Sequence, residues 1–190
     1  MSAVLYLARH GETEWNAVGK LQGRTDIPLN EIGRAQARAL ATRLLGSRIA
    51  SVTTSDLTRA AETGAIVADA MGITARRVDP DLRERSFGIF EWLTRDECAT
   101  RYPEEWRAWV DHTITPAGAE LREVAVARMT RALARIASPS QGEVSLVISH
   151  GGAMRLLLLE WLGVPVAPIA NGTVYRVEIT KDGFAAALWE

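Results

Sequence analysis

The sequence predicts an α/β fold, a three-layer α/β/α sandwich around a mostly parallel sheet. Strand-like and helix-like segments alternate along the chain. The candidate strands are near-continuous apolar runs, as expected of strands covered on both faces. Two of them end in a histidine-glycine turn, Arg9-His10-Gly11 and Ser149-His150-Gly151. Ligands gather beyond the carboxyl ends of strands in open parallel sheets.

The elements follow in order. Ala3–Ala8 is a compact apolar strand. Asn30 is a natural N-cap for a helix through about Leu45. Ile49–Thr54 reads as a second buried strand, followed by a helix from about Asp56 to Met71 with Gly72 as its stop. Residues 74–78 form a candidate third strand. Residues 86–117 are irregular or broken helix, rich in aromatics, and form a candidate cap or specificity region within a single domain spanning 1–190. Leu121, Ala125, Met129, Leu133 and Ile136 recur at helical spacing, and Ser138–Gly142 is a loop ending that helix. Val144–Ile148 is an apolar strand and Ala153–Leu162 a very apolar helix. Tyr175, Val177 and Ile179 alternate with polar residues, and Asp182-Gly183 turns the chain into a last strand. The strand order does not follow from this pattern.

Composition bounds the function. A chain of 190 residues is large enough to bury one substantial core. Its net charge of −1 gives no electrostatic case for nucleic acid or an anionic membrane. No basic n-region and long apolar h-region open the chain, and no apolar run is long enough to span a bilayer. Cys98 is the single cysteine, which fits a reducing, cytoplasmic compartment. Lys20 and Lys181 are the only lysines, and arginine suits bidentate phosphate recognition, although composition bias explains most of the arginines.

The strand ends carry the chemistry. Arg9, His10 and Gly11 follow the first strand. Ser55 and Arg59 follow the second, with Arg59 in the first turn of a helix, and His150 follows the Val144–Ile148 strand. Helix N-termini add unpaired N–H groups and a dipole favourable to an anion. Two imidazoles with arginines beside them are built to face one phosphate. A phosphoryl group in transit spreads charge over three oxygens, which fixed cations and donors stabilise. A neutral imidazole is a competent nucleophile near neutral pH.

The chain resembles the histidine phosphatase superfamily, also called the phosphoglycerate mutase-like family. The matching residues are Arg9-His10-Gly11-Glu12-Thr13 with Asn16; Gln22-Gly23 with Leu29; Gly33-x-x-Gln36-Ala37; Ser55-x-x-x-Arg59-Ala60-x-x-Thr63; Leu82-x-Glu84; Phe87-Gly88; and Ser149-His150-Gly151-Gly152. They run in the family's order from about residue 4 to 172. The resemblance implies that His10 accepts the phosphoryl group, that Arg9, Arg59, Asn16 and His150 hold its oxygens, and that Glu84 protonates the leaving alcohol and then helps water attack. Gln22, Gly23 and Gly151 join Asn16 as substrate-binding candidates. The scheme needs no metal and no cofactor, and its partner is a small phosphorylated metabolite. A homodimer stays open, since the sequence does not separate it from a monomer.

Each residue has a plainer reading. His10 and His150 could be satisfied buried histidines, and Arg59 a surface helix charge. Glu84 lies in the Asp81–Arg85 charge run, and such runs are usually solvated. Asn16 and Gln22 could be turn residues. His112 reads as exposed or structural, and Trp106 and Trp109 as packing.

The match breaks in one region. Ser86 and Phe87 precede Gly88 where mutases carry a histidine-tyrosine pair. Trp92 follows Glu91 where many members have glycine, and Ala117-Gly118-Ala119-Glu120 stands where many have Gly-Gly-Glu-Ser. The segment from Glu84 to His150 is also shorter than in mutases. Phe87, Phe90 and Trp92, in a weakly basic lid, favour a leaving group with an apolar or sugar portion over a bisphosphate. The expected activity is phosphomonoester hydrolysis. The alternatives are a phosphoglycerate mutase, a non-catalytic phospho-ligand-binding member, and, weakest, a metallohydrolase using both histidines and a carboxylate.

Overall fold

A computed structural model describes residues 3–137, 143–180 and 183–189. The expected Ser138–Gly142 loop and Asp182 lie outside them. The core is a six-stranded sheet in the order β3-β2-β4-β1-β5-β6. Its strands are β1 (Ala3–Arg9), β2 (Ile49–Thr54), β3 (Ala75–Val78), β4 (Val144–Ser149), β5 (Val174–Thr180) and β6 (Gly183–Trp189). The first four run parallel to their neighbours, and β5 and β6 add an antiparallel edge.

Side-chain alternation explains the three layers. Leu5, Leu7, Val147 and Val177 point to one face and bury against α6 (Arg122–Ala137) and α7 (Gly151–Leu162) through Met129, Leu133, Met154 and Leu157. Tyr6, Ala8, Leu146 and Ile148 point to the other and bury against α2 (Glu31–Arg43) and α3 (Thr58–Met71) through Leu40, Leu44, Ala60 and Val67. Strands covered on both faces need apolar residues at every position, which is the run visible in the sequence. Each fully buried Leu or Ile contributes about 1.5–3 kcal/mol. Among the described residues no helix is long and apolar enough to cross a membrane.

Several boundaries differ from the sequence expectation. α2 starts after Asn30, whose Oδ1 accepts the Gly33 N–H at 2.8 Å, but it ends at Arg43. α3 starts at Thr58 rather than Asp56. Ser55 Oγ accepts the Leu57 N–H at 3.1 Å and holds the chain extended there, while Asp56 pairs with Arg83. Leu121 precedes α6 and is 46 % exposed, so it is not part of the core stripe that Ala125, Met129, Leu133 and Ile136 form.

The 86–117 segment is broken helix, as expected. It contains a 3₁₀ turn (Gly88–Phe90), α4 (Arg95–Arg101) and α5 (Pro103–Val110). Thr94 and Glu97 close a capping box at α4, and Pro103 opens α5. Phe90 is fully buried and packs its ring against Trp106 and Trp109, with centroids 5.2 and 5.4 Å away. This small aromatic cluster fixes the segment where it forms one wall of the site.

Candidate functional site

The strand order places β4 between β2 and β1, so the carboxyl ends of these three strands converge. Arg9 pairs with Ser149 in register, which puts His10 beside His150 with ring centroids 5.0 Å apart. The turn after β1 lies against the first turn of α2. A Cβ on Gly11 would sit 2.4 Å from the Gly33 carbonyl oxygen, so only glycine permits this approach. Gln36 Oε1 accepts the Glu12 N–H at 2.8 Å and Thr63 Oγ1 accepts the Gly11 N–H at 3.1 Å, pinning the turn from both helices.

His10 is 2 % exposed. Its Nδ1 lies 2.6 Å from the Gly11 carbonyl oxygen. A carbonyl can only accept, so Nδ1 carries the proton and Nε2 keeps its lone pair. Arg59 Nε donates toward that Nε2 at 3.3 Å. Burial, with the charges of Arg59 and Arg9, holds the His10 imidazole well below its usual range. The same causes, burial first and then Arg59, hold His150 well below it too. Both rings are therefore neutral at pH 7.

Arg59 is buried to 1 % exposure. Its two terminal nitrogens donate to the carbonyls of Gly23 and Thr25, each at 2.8 Å. Burial brings it down to about 10, and it stays charged. Arg9 donates to the Ile169 carbonyl, and its buried Nε has no partner among the described residues. His150 Nε2 meets Ser55 Oγ at 2.8 Å, and its buried Nδ1 likewise has no partner. Arg9, which carries the first of these orphan atoms, and His10 line one cavity of about 420 Å³. Buried polar groups are normally satisfied, so orphan atoms at a cavity wall point to a ligand.

Glu84 is buried, against the solvated reading of its charge run. Its carboxylate accepts N–H bonds from Gly152 at 2.8 Å and Ala153 at 2.7 Å, in the first turn of α7, and from Arg85 at 2.8 Å. A Cβ on Gly152 would lie 2.6 Å from Glu84 Oε1, so a side chain there would push the carboxylate aside. Asn16, Gln22, Gly23 and Gly151 all line the cavity. Asn16 is also a turn residue, since it closes a capping box with Thr13.

The structure corrects the expected lid. Phe87 lines the cavity, but Phe90 is core and Trp92 is 62 % exposed, its indole N–H donating to Thr25 Oγ1 at 2.7 Å. Trp109 lines the cavity as well as packing, and the exposed His112 also borders it. The wall is not weakly basic, because Lys20, Arg85, Arg95 and Arg155 border it too. Apolar cover comes from Leu21, Leu156, Leu159 and Ile169. Arg155 escaped notice because its helix reads as wholly apolar. Asn171 was also missed; its Nδ2 donates to the His10 carbonyl at 3.0 Å and to Asn16 Oδ1 at 3.2 Å. The Asn171-Gly172 pair before β5 was its one sequence signal.

Among the described residues no three His, Cys, Asp or Glu side chains converge as a metal-ligating group.

Comparison with known proteins bears on the family and the fold. The family model described as histidine phosphatase superfamily (branch 1) matches residues 5–190. A Yersinia pestis protein named "Probable phosphoglycerate mutase GpmB" is 36 % identical, with 97 % of this chain and 89 % of that one covered. The structure of Bacillus stearothermophilus YhfR aligns with a TM-score of 0.88 at 30 % identity, covering 97 % of this chain and 95 % of that one. A mycobacterial glucosyl-3-phosphoglycerate phosphatase aligns with a TM-score of 0.86 at 28 % identity, covering 98 % and 97 %. Relatives thus carry both mutase and phosphatase names on one scaffold. On the extent of the match and on the fold, the chain belongs to branch 1 of the histidine phosphatase superfamily.

Proposed function

We propose that this chain is a phosphomonoester phosphatase that works without a metal, through a phosphohistidine at His10, on a small phosphorylated metabolite. One observation carries the reading: the Gly11 carbonyl ties up Nδ1 and leaves the unprotonated His10 Nε2 beside Arg59 on a cavity that Arg9, with its orphan Nε, also lines. Nε2 attacks phosphorus and the P–O bond to the leaving alcohol breaks. Arg9, Arg59 and His150 take up the charge on the three phosphoryl oxygens. Glu84 gives the departing oxygen a proton, then takes one from the water that attacks phosphohistidine, which returns His10 and releases inorganic phosphate. Asn16, Gln22, Gly23 and Gly151 complete the substrate contacts, and the 86–117 segment acts as the specificity region. The mixed cations and apolar surface of the wall suit an organic phosphate with a partly apolar or sugar portion.

The mutase reading keeps support from the relative's name. It differs in returning the phosphoryl group to a sugar acid. The test is turnover of an aryl phosphate in EDTA by wild type and His10→Ala, with a coupled assay for phosphoglycerate isomerisation. Phosphate release that survives EDTA and disappears with His10 supports the phosphatase. Isomerisation faster than phosphate release would make the chain a mutase.

A further inference from the structure

Behind the Glu84 loop, away from the cavity, lies a buried ion pair with no part in the scheme above. Arg128 is on α6, and 5 % exposed. Its Nε and one terminal nitrogen each donate to a different oxygen of Glu120 at 2.8 Å. Its other terminal nitrogen donates to the backbone carbonyls of Asp81, at 2.7 Å, and Arg83, at 2.6 Å. Glu120 extends the tie. Its carboxylate also accepts from Arg24 at 2.9 Å, and Arg24 Nε reaches toward the Glu84 carbonyl at 3.5 Å. The Glu120 N–H donates to the Ser86 carbonyl at 3.0 Å, and Arg85 donates to the Glu120 carbonyl at 3.1 Å. Backbone carbonyls on both sides of Glu84, and its own, are therefore held by one cluster.

We infer that Arg128 and Glu120 are positioning residues for Glu84, bracing the 81–86 backbone so that its carboxyl group meets the leaving oxygen. The inference rests on the reading of Glu84 as the proton donor. The argument is geometric. The segment has only a short 3₁₀ turn, Pro80–Leu82, and no helix or strand of its own across Arg83–Phe87. Its orientation must come from tertiary bonds. A planar guanidinium can hold both oxygens of a carboxylate and two carbonyls at once, four bonds where an ammonium has only three donors. Burial pushes the Glu120 carboxyl up, but bonds and charge from Arg128, with Arg24 and Arg85, hold it below its ordinary range and keep it ionised.

Leaving-group dependence separates positioning from mere stability. An aryl phosphate expels a phenolate that hardly needs a proton, whereas an alkyl phosphate expels an alkoxide that does. The experiment measures kcat/KM for p-nitrophenyl phosphate and for an alkyl phosphate in wild type, Glu84→Gln, Arg128→Lys and Glu120→Gln, with thermal melts alongside. Arg128→Lys keeps the charge and loses the fork; Glu120→Gln keeps the shape and loses the charge, and it serves if the arginine variant does not fold. The expected result is an alkyl-phosphate kcat/KM, which excludes the hydrolysis of phosphohistidine common to both substrates, down by about tenfold or more in Arg128→Lys and Glu120→Gln, with the aryl value within about threefold. Glu84→Gln should show the same selectivity more strongly. Equal losses on both substrates, or no loss on either, in folded Arg128→Lys and Glu120→Gln would overturn the positioning role. Lack of selectivity in Glu84→Gln itself would overturn the proton-donor reading, and the positioning role with it.

Discussion

Arg59→Met separates the cost of the site from its use. Arg59 is almost wholly buried without a carboxylate bonded to it; its partners are two carbonyls and a neutral imidazole. Burial, only partly countered by Glu84 and Asp26, lowers it from 12.5 to about 10. At about 1.4 kcal/mol per tenfold, that fall means the folded protein bears about 3 kcal/mol for keeping the cation at neutral pH. The sign follows from proton linkage. A cation with a depressed folded value binds protons more weakly when folded, so its stability contribution is lost as pH falls through about 10. Methionine removes that cost at similar length. It also leaves the Gly23 and Thr25 carbonyls unpaired, which costs about 1 kcal/mol or more each. The net change is near zero, so Tm should stay within about 3 °C of wild type. Turnover should fall by about 100-fold or more, because a fixed charge facing the phosphoryl oxygens is gone. Thermal melts and aryl-phosphate kinetics read both. Destabilisation beyond about 3 kcal/mol would refute the reasoning, since it would mean that Arg59 is a net support of the fold.

Three other changes test neighbouring parts of the account. The depressed His10 and His150 values place the acid limb of kcat/KM below pH 6.5, and the two rings should leave stability unchanged above 6.5 and lower it as pH falls below, because the unfolded chain then binds protons that the folded one refuses; melts of His10→Gln and His150→Gln should each show a shallower decline. Gly152→Ala sets a methyl group 2.6 Å from Glu84 Oε1, so alkyl-phosphate turnover should drop by about tenfold or more while the melt changes little. Ser55→Ala removes the hydroxyl that accepts from Leu57 and meets His150 Nε2, freeing the ring to change tautomer; kcat should fall about tenfold, with a shift in the His150 ring nitrogen resonances, and unchanged resonances would exclude the role.

What the sequence made legible follows from chain locality. The strand-end histidines could be read because each sits directly after a run apolar on both faces, and only the strand order was needed to bring them together. Gln36 and Thr63 could be placed in motifs, but not given their work of pinning the Glu12 and Gly11 amides, because those bonds cross 24 and 52 residues. Glu84 looked solvated by composition; its burial comes from the first turn of α7 folding over it from 68 residues away. Phe90 and Trp92 share one aromatic stretch, yet a 3₁₀ turn and a positive φ of 76° at Trp92 send one ring to the core and the other to solvent. No periodicity marks such a turn. Lys20, Arg85 and Arg155 come from three separate segments, so the basic wall of the cavity exists only in the folded chain.

The central claim is a covalent phosphohistidine, and the most direct measurement is to trap it. Wild type and Glu84→Gln are mixed with excess p-nitrophenyl phosphate, quenched under alkaline denaturing conditions that preserve phosphohistidine, and mapped by peptide mass spectrometry. The account predicts one phosphoryl group on His10 and none in His10→Ala. An unmodified His10 peptide, with full turnover by folded His10→Ala, would contradict it.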